Sequence, residues 1–153
     1  MYYRKLTYKV HDMDTIKSHP RFKETMDVME NIIKSERINI TLSPGYSSPV
    51  CECIDHDDEC RCPHYYRDDD AITFGARDMF SFPDVPMIGN DCYVLTNRDR
   101  FDAAVAACFH VASTLMPDVC TFEGDDEVEE SQLIDKTRLE TMINYVVREA
   151  LST

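Results

Sequence analysis

Glycine is scarce in this chain of 153 residues, with four copies. Gly75, Gly89 and Gly124 stand alone, so no glycine-rich loop is present to cradle a phosphate. So little glycine, with only seven prolines, also excludes a long low-complexity protein. Long apolar runs are missing as well. Nothing approaches the roughly 20 apolar residues of a membrane span. The opening stretch MYYRKLTYKV alternates polar and apolar residues, so it lacks the continuous core of a signal peptide. The expectation is a soluble, intracellular, cytoplasmic protein, neither secreted nor attached to a membrane.

Clustered lysine and arginine are also wanting. Arg4, Lys5 and Lys9 share one segment, and no other group stands out along the chain. Binding a phosphate backbone needs such clusters, so direct contact with nucleic acid is disfavoured. The net charge is −13. It is concentrated in residues 51–70 and 121–153, whereas residues 1–50 carry a small positive excess. A protein partner with a basic surface suits that distribution, although acidity also serves solubility alone.

The periodicity of apolar residues predicts a single α+β domain over residues 1–153. Leu6, Tyr8 and Val10 alternate with Lys5, Thr7 and Lys9 in a half-buried strand. Ser18 and Pro20 announce a helix whose apolar stripe is Phe22, Met26, Met29 and Ile33. Ile38, Ile40 and Leu42 alternate again, as a second strand ending at Ser43-Pro44-Gly45. Residues 44–90 read as an irregular Cys/His-rich insertion, with a short strand near Ile72–Phe74 and an extended loop over Phe80–Pro86. A strand at Cys92–Leu95, a central helix through Phe101, Val105, Cys108, Ala112 and Leu115, and a strand over Val119–Glu123 follow. Asp125–Glu130 reads as an acidic loop or helix entry, and Leu139–Ala150 as a C-terminal helix. The order β-α-β, insertion, β-α-β-α is compatible with a split β-α-β (ferredoxin-like) sheet bearing a metal-binding insertion.

The chemically specialised stretch is CECIDHDDECRCPH, residues 51–64. Cys51, Cys53, Cys60 and Cys62 are spaced C-x-C-x6-C-x-C, with His56 between the pairs and His64 just after. Zinc takes four ligands from thiolate and imidazole, and six such donors stand here within 14 residues. Four thiolates would leave the centre at −2 amid Asp55, Asp57, Asp58 and Glu59, so one or two histidines in the set ease the charge. The ligand set stays open among these six. A structural zinc is preferred to disulfides, because the thiol count of seven is odd and no secretion signal is seen. It is preferred to a catalytic metal because the His-x-Glu and Pro-Cys-x-x-Cys pattern of the deaminases is missing.

Elsewhere the chemistry is plain. Cys92, Cys108 and Cys120 read as small buried residues. His110 reads as a core or helix-surface histidine, His11 and His19 have no partner by spacing, and Asp68–Asp70 read as a solvated run. The favoured function is a binding or regulatory module without enzymatic activity. The alternatives are a nucleic-acid-mimicking inhibitor of a nucleic-acid-binding protein, and a metal-dependent hydrolase using the same loop.

Overall fold

A computed structural model describes residues 2–34, 64–75, 79–95, 102–122, 125–127, 144–145 and 147–152. Strand β1 is Tyr2–Tyr8, followed by helices α1, Met13–Lys17, and α2, Phe22–Ile33. Strands β2, His64–Arg67, β3, Ile72–Gly75, and β4, Met79–Phe82, come next. Strand β5, Asp91–Leu95, helix α3, Asp102–Leu115, and strands β6, Cys120–Thr121, and β7, Asp125–Glu127, complete the order. Residues 147–151 are helical, and Val147 is buried, where the C-terminal helix was expected. The expected strand at 38–42 lies outside the described residues.

The strands form two antiparallel sheets, so the mixed α+β class holds. In the first, β1 is central, with β5 along one edge and β6 and β7 in succession along the other. In the second, β2, β3 and β4 make a meander. The split β-α-β layout would set β1 parallel to the strand at 91–95, but that pair is antiparallel. The reason is where the chain re-enters. The Tyr8 N–H donates to the Asn90 carbonyl at 2.7 Å, and Asp91 stands opposite Thr7. A strand starting there can only run back along β1.

Local chemistry explains most of the elements. Arg4, Leu6 and Tyr8 are buried in β1 while Tyr3, Lys5 and Thr7 are half-exposed, the two-residue period of a strand with one covered face. Asp12 caps α1, accepting from the Asp14 N–H and the Thr15 hydroxyl. Helix α2 buries Phe22, Met26, Met29, Ile32 and Ile33, and begins after the Pro20 turn without a side-chain cap. Pro117 follows α3 closely and cannot continue it.

Two segments depart from expectation. The described part of 44–90 is an ordered sheet rather than an irregular insertion. Ile72, Phe74, Phe80 and Phe82 are fully buried, while Thr73 and Ser81 pair their hydroxyls at 3.0 Å on the opposite face. Pro83 disguised β4: a proline pushes its predecessor into the β region, which is what the last residue of a strand requires. Within the stretch expected as an acidic loop or helix entry, Asp125–Glu127 form strand β7, with Asp125 opposite Arg4, Asp126 opposite Tyr3 and Glu127 opposite Tyr2, and residues 128–130 lie outside the described residues. Asp and Glu are poor strand formers, so only pairing with β1 makes this segment extended.

Both sheets, α2 and α3 share one apolar core. Phe82 lies 5.9 Å from Phe22 of α2 and 6.5 Å from Tyr8 of β1, and Phe80 lies 5.2 Å from Phe109 of α3. Phe109 in turn meets Phe122 at 5.8 Å. The second sheet is therefore fastened through its aromatic face.

Candidate functional site

Of the six expected metal ligands, Cys51, Cys53, His56, Cys60 and Cys62 lie outside the described residues. His64 is the first residue of β2, opposite Gly75 of β3. The donor-rich segment thus ends directly on a sheet strand. The other end of β2 is fixed by Arg67, which donates to Asp27 at 2.6 Å and to Glu30 at 3.1 Å, both on α2. We expect Arg67→Ala to lose about 1 kcal/mol of stability, because its carboxylate partners are part-exposed and screened. A denaturant titration checks this, and an unchanged midpoint would show that β2 is held by its sheet alone.

The remaining polar candidates are structural. Asp68 closes the β2–β3 turn by accepting from the N–H groups of Asp70 and Ala71 at 2.8 and 2.9 Å, which hold its carboxyl below the usual range. His19 has both ring nitrogens engaged. Nδ1 accepts from the Arg21 N–H at 3.0 Å, so Nε2 bears the proton and donates to the Asp118 carboxylate, also at 3.0 Å. Neither nitrogen is available as a general base, and the histidine holds the Asp118 carboxyl low. His11 contacts the Asn90 side-chain oxygen at 2.8 Å. His110 is half-buried and meets Phe122 in a T-shaped contact, between the core and helix-surface positions expected of it.

The thiols outside the loop divide in two. Cys108 and Cys120 are fully buried, as expected. Burial pushes the Cys108 thiol upward and the Cys120 thiol to about 12. Cys92 is half-buried, with its sulfur 3.9 Å from Asp84 Oδ2.

One feature had no signal in the linear sequence. An open cleft of about 250 Å³ lies between α1, α2 and the β2–β3 turn. Lys17, His19, Lys23, Arg67 and Asp69 supply its polar walls, and Pro20, Phe22 and Met26 its apolar part. Lys17 and Lys23 bracket the start of α2, but Arg67 is more than forty residues away. Only folding brings the three cations to one place.

Among the described residues, no group of three or more His, Cys, Asp or Glu is arranged to hold a metal, and no helix is long and apolar enough to cross a membrane. No protein-family model, curated protein or solved structure matches the chain.

Proposed function

We propose that the chain is a non-enzymatic binding module whose 51–64 loop holds a structural zinc ion and whose acidic surface docks on a basic protein partner. The observation that carries this reading is donor density: Cys51, Cys53, His56, Cys60, Cys62 and His64 stand in one short segment. The donor set fits zinc, which is borderline-soft and takes four thiolate or imidazole ligands. Bound there, the ion would contribute folding energy by closing the loop. The chain's own part is to supply deprotonated thiols, and to fasten the end of the loop through β2. The excess of negative charge, −13 in all, would steer a basic partner into encounter.

Native mass spectrometry with elemental analysis tests the reading. We expect one zinc per chain, lost when Cys51→Ser, Cys53→Ser, Cys60→Ser and Cys62→Ser are combined, which leaves two of the six donors. A folded chain without metal removes the staple. A coordination sphere closed by four protein ligands separates it from a metal-dependent hydrolase, which needs an exchangeable water.

A second reading, a nucleic-acid-mimicking inhibitor, draws support from β7. Its pairing with β1 holds Asp125, Asp126 and Glu127 in extended conformation at the end of the first sheet. Competition with DNA or RNA for a partner, weakening steeply with salt, would favour it. Salt-insensitive binding would count against it.

A further inference from the structure

The first sheet ends at β5, which among the described strands pairs with β1 alone. The bond from the Tyr8 N–H to the Asn90 carbonyl sets the phase of that ladder. Leu6–Cys92 and Arg4–Val94 are its hydrogen-bonded pairs, and Lys5–Tyr93 lies between them. The N–H and C=O groups of Asp91, Tyr93 and Leu95 therefore point away from β1, along an edge that no described strand covers. Three of the five large apolar side chains exposed among the described residues lie on this strand or in the turn leading to it: Met87, Ile88 and Tyr93. The turn is not a loose arm. The Asp84 N–H donates to the Tyr8 hydroxyl at 3.1 Å, Val85 packs against the core, and the Asn90 side chain meets His11 at 2.8 Å. Edge strands are ordinarily guarded by lysine, proline or a charge aimed along the edge. Strand β5, DCYVL, has no lysine or proline, and its Asp91 carboxylate is turned onto its own sheet, accepting from the Thr7 hydroxyl at 2.7 Å. The other edges are less open. Strand β6 has two residues, β7 is wholly acidic, β4 stops at Pro83, and β2 ends on Arg67 and the Asp68–Asp70 run.

We infer that β5 is the dimerisation edge of the chain: β5 of a second copy adds to it antiparallel, about a two-fold axis at Tyr93, and joins the two first sheets into one. The occupant is a second copy because the edge complements itself. The outward groups fall on alternate residues. A two-fold axis at Tyr93 therefore sets Tyr93 opposite the partner's Tyr93 and Asp91 opposite the partner's Leu95, each as a hydrogen-bonded pair. Every outward N–H then meets an outward C=O. The two Asp91 carboxylates stand at opposite ends of the ladder, separated by about 13 Å along the strands, so no like charges face each other. Tyr93 gains a cross-strand aromatic pair on the face where Tyr3 already meets it edge-on at 6.2 Å. Lys5 stands opposite Tyr93 within each copy, so the charges of Lys5 and Asp91 balance at the contact although the whole chain carries −13. The same pairing brings the Met87–Ile88 turn, which precedes Asp91, to the Leu95 end of the partner strand. The inference is independent of the zinc loop, which contributes no residue to β5.

Sedimentation equilibrium of the full chain across the micromolar range is the test. We expect a monomer–dimer equilibrium with a dissociation constant on the order of tens of micromolar, because so short a ladder buries no more than the roughly 1,000 Å² that divides weak contacts from stable ones. Added salt should tighten it, since screening weakens the repulsion between two copies at −13 each. Tyr93→Glu should weaken it by about tenfold or more: the new carboxylate pairs with Lys5 inside each copy but faces its own image across the axis. Tyr93→Lys should weaken it likewise with the opposite sign, and mixing the two variants should restore the dimer, which neither misfolding nor a merely structural role for Tyr93 would give. Amide exchange supplies a second reading. The Tyr93 N–H should slow as concentration rises, while the Cys92 and Val94 N–H groups, already bonded to β1, should not change. A chain that stays monomeric, a dimer indifferent to Tyr93→Glu, or a Tyr93 N–H equally protected at every concentration, which would mean that the chain covers its own edge, would overturn the proposal.

Discussion

Replacing Phe82 with alanine is expected to cost about 3–5 kcal/mol of folding stability. The ring is fully buried, and it is the point where the second sheet meets both other layers. Tyr8 of β1 stacks on it at 6.5 Å, and Phe22 of α2 meets it edge-on at 5.9 Å. Truncation removes the transfer energy of the ring and leaves a cavity that three elements must share. A domain of this size is stable by only about 5–15 kcal/mol, so the loss is a large part of the whole. Guanidinium unfolding measures it, with Tyr66→Ala as the control. Tyr66 is 63% exposed and should change stability by no more than about 0.5 kcal/mol. Because the core is common, circular dichroism and tyrosine fluorescence should shift together. A loss confined to one probe, or below about 1 kcal/mol, would mean that the sheets are not joined through this ring.

Alkali should destabilise the fold earlier and more steeply than its surface groups alone would require. Cys108, Cys120 and Tyr8 are buried, and loss of water around them raises all three pKa values, Cys120 to about 12. In the unfolded chain the thiols return to an ordinary 9.0 and the phenol to 10.0. The folded state therefore binds more protons than the unfolded state above pH 9. Stability from these groups is complete below that pH and is lost as pH rises towards the folded values. Each thiol or phenol ionised only in the unfolded chain adds a slope of about 1.4 kcal/mol per pH unit, so the three together remove on the order of 7 kcal/mol by about pH 11. Urea midpoints measured from neutral pH upward test this. Cys108→Ala should flatten the slope by the share of one thiol, and an unaltered slope would show that the Cys108 thiolate is tolerated inside.

Much of the fold is legible along the chain. Tyr2–Tyr8, Phe22–Ile33, Ile72–Gly75 and Asp102–Leu115 carry the period of the element they form, and Asp91–Leu95 carries the short apolar run of a strand. Four features do not, the first being strand β2, His64–Arg67, which reads in the sequence as part of the irregular insertion. Strand β4 was hidden because Pro83 and Pro86 read as loop signals, although Phe80 and Phe82 already alternate with Ser81. Strand β7 was hidden because acidic residues carry no strand preference, and its conformation comes from the partner strand. Helix α1, five residues long, falls below the length at which periodicity can be recognised, and its cap at Asp12 was the local clue. The donor cluster was legible from spacing because all of its residues are neighbours in the chain.

The sequence by itself determined which faces of the main helices enter the core, where those helices run, and that residues 51–64 hold a concentration of zinc-type donors. These depend on periods and spacings of a few residues. Tertiary structure alone decided that β1 is the centre of an antiparallel sheet, that two sheets share one aromatic core, and that Lys17, Lys23 and Arg67 face one cleft. Those facts join residues far apart in the chain. Strand partners and clefts are chosen by summed packing and pairing energies, to which no single segment carries a local signature.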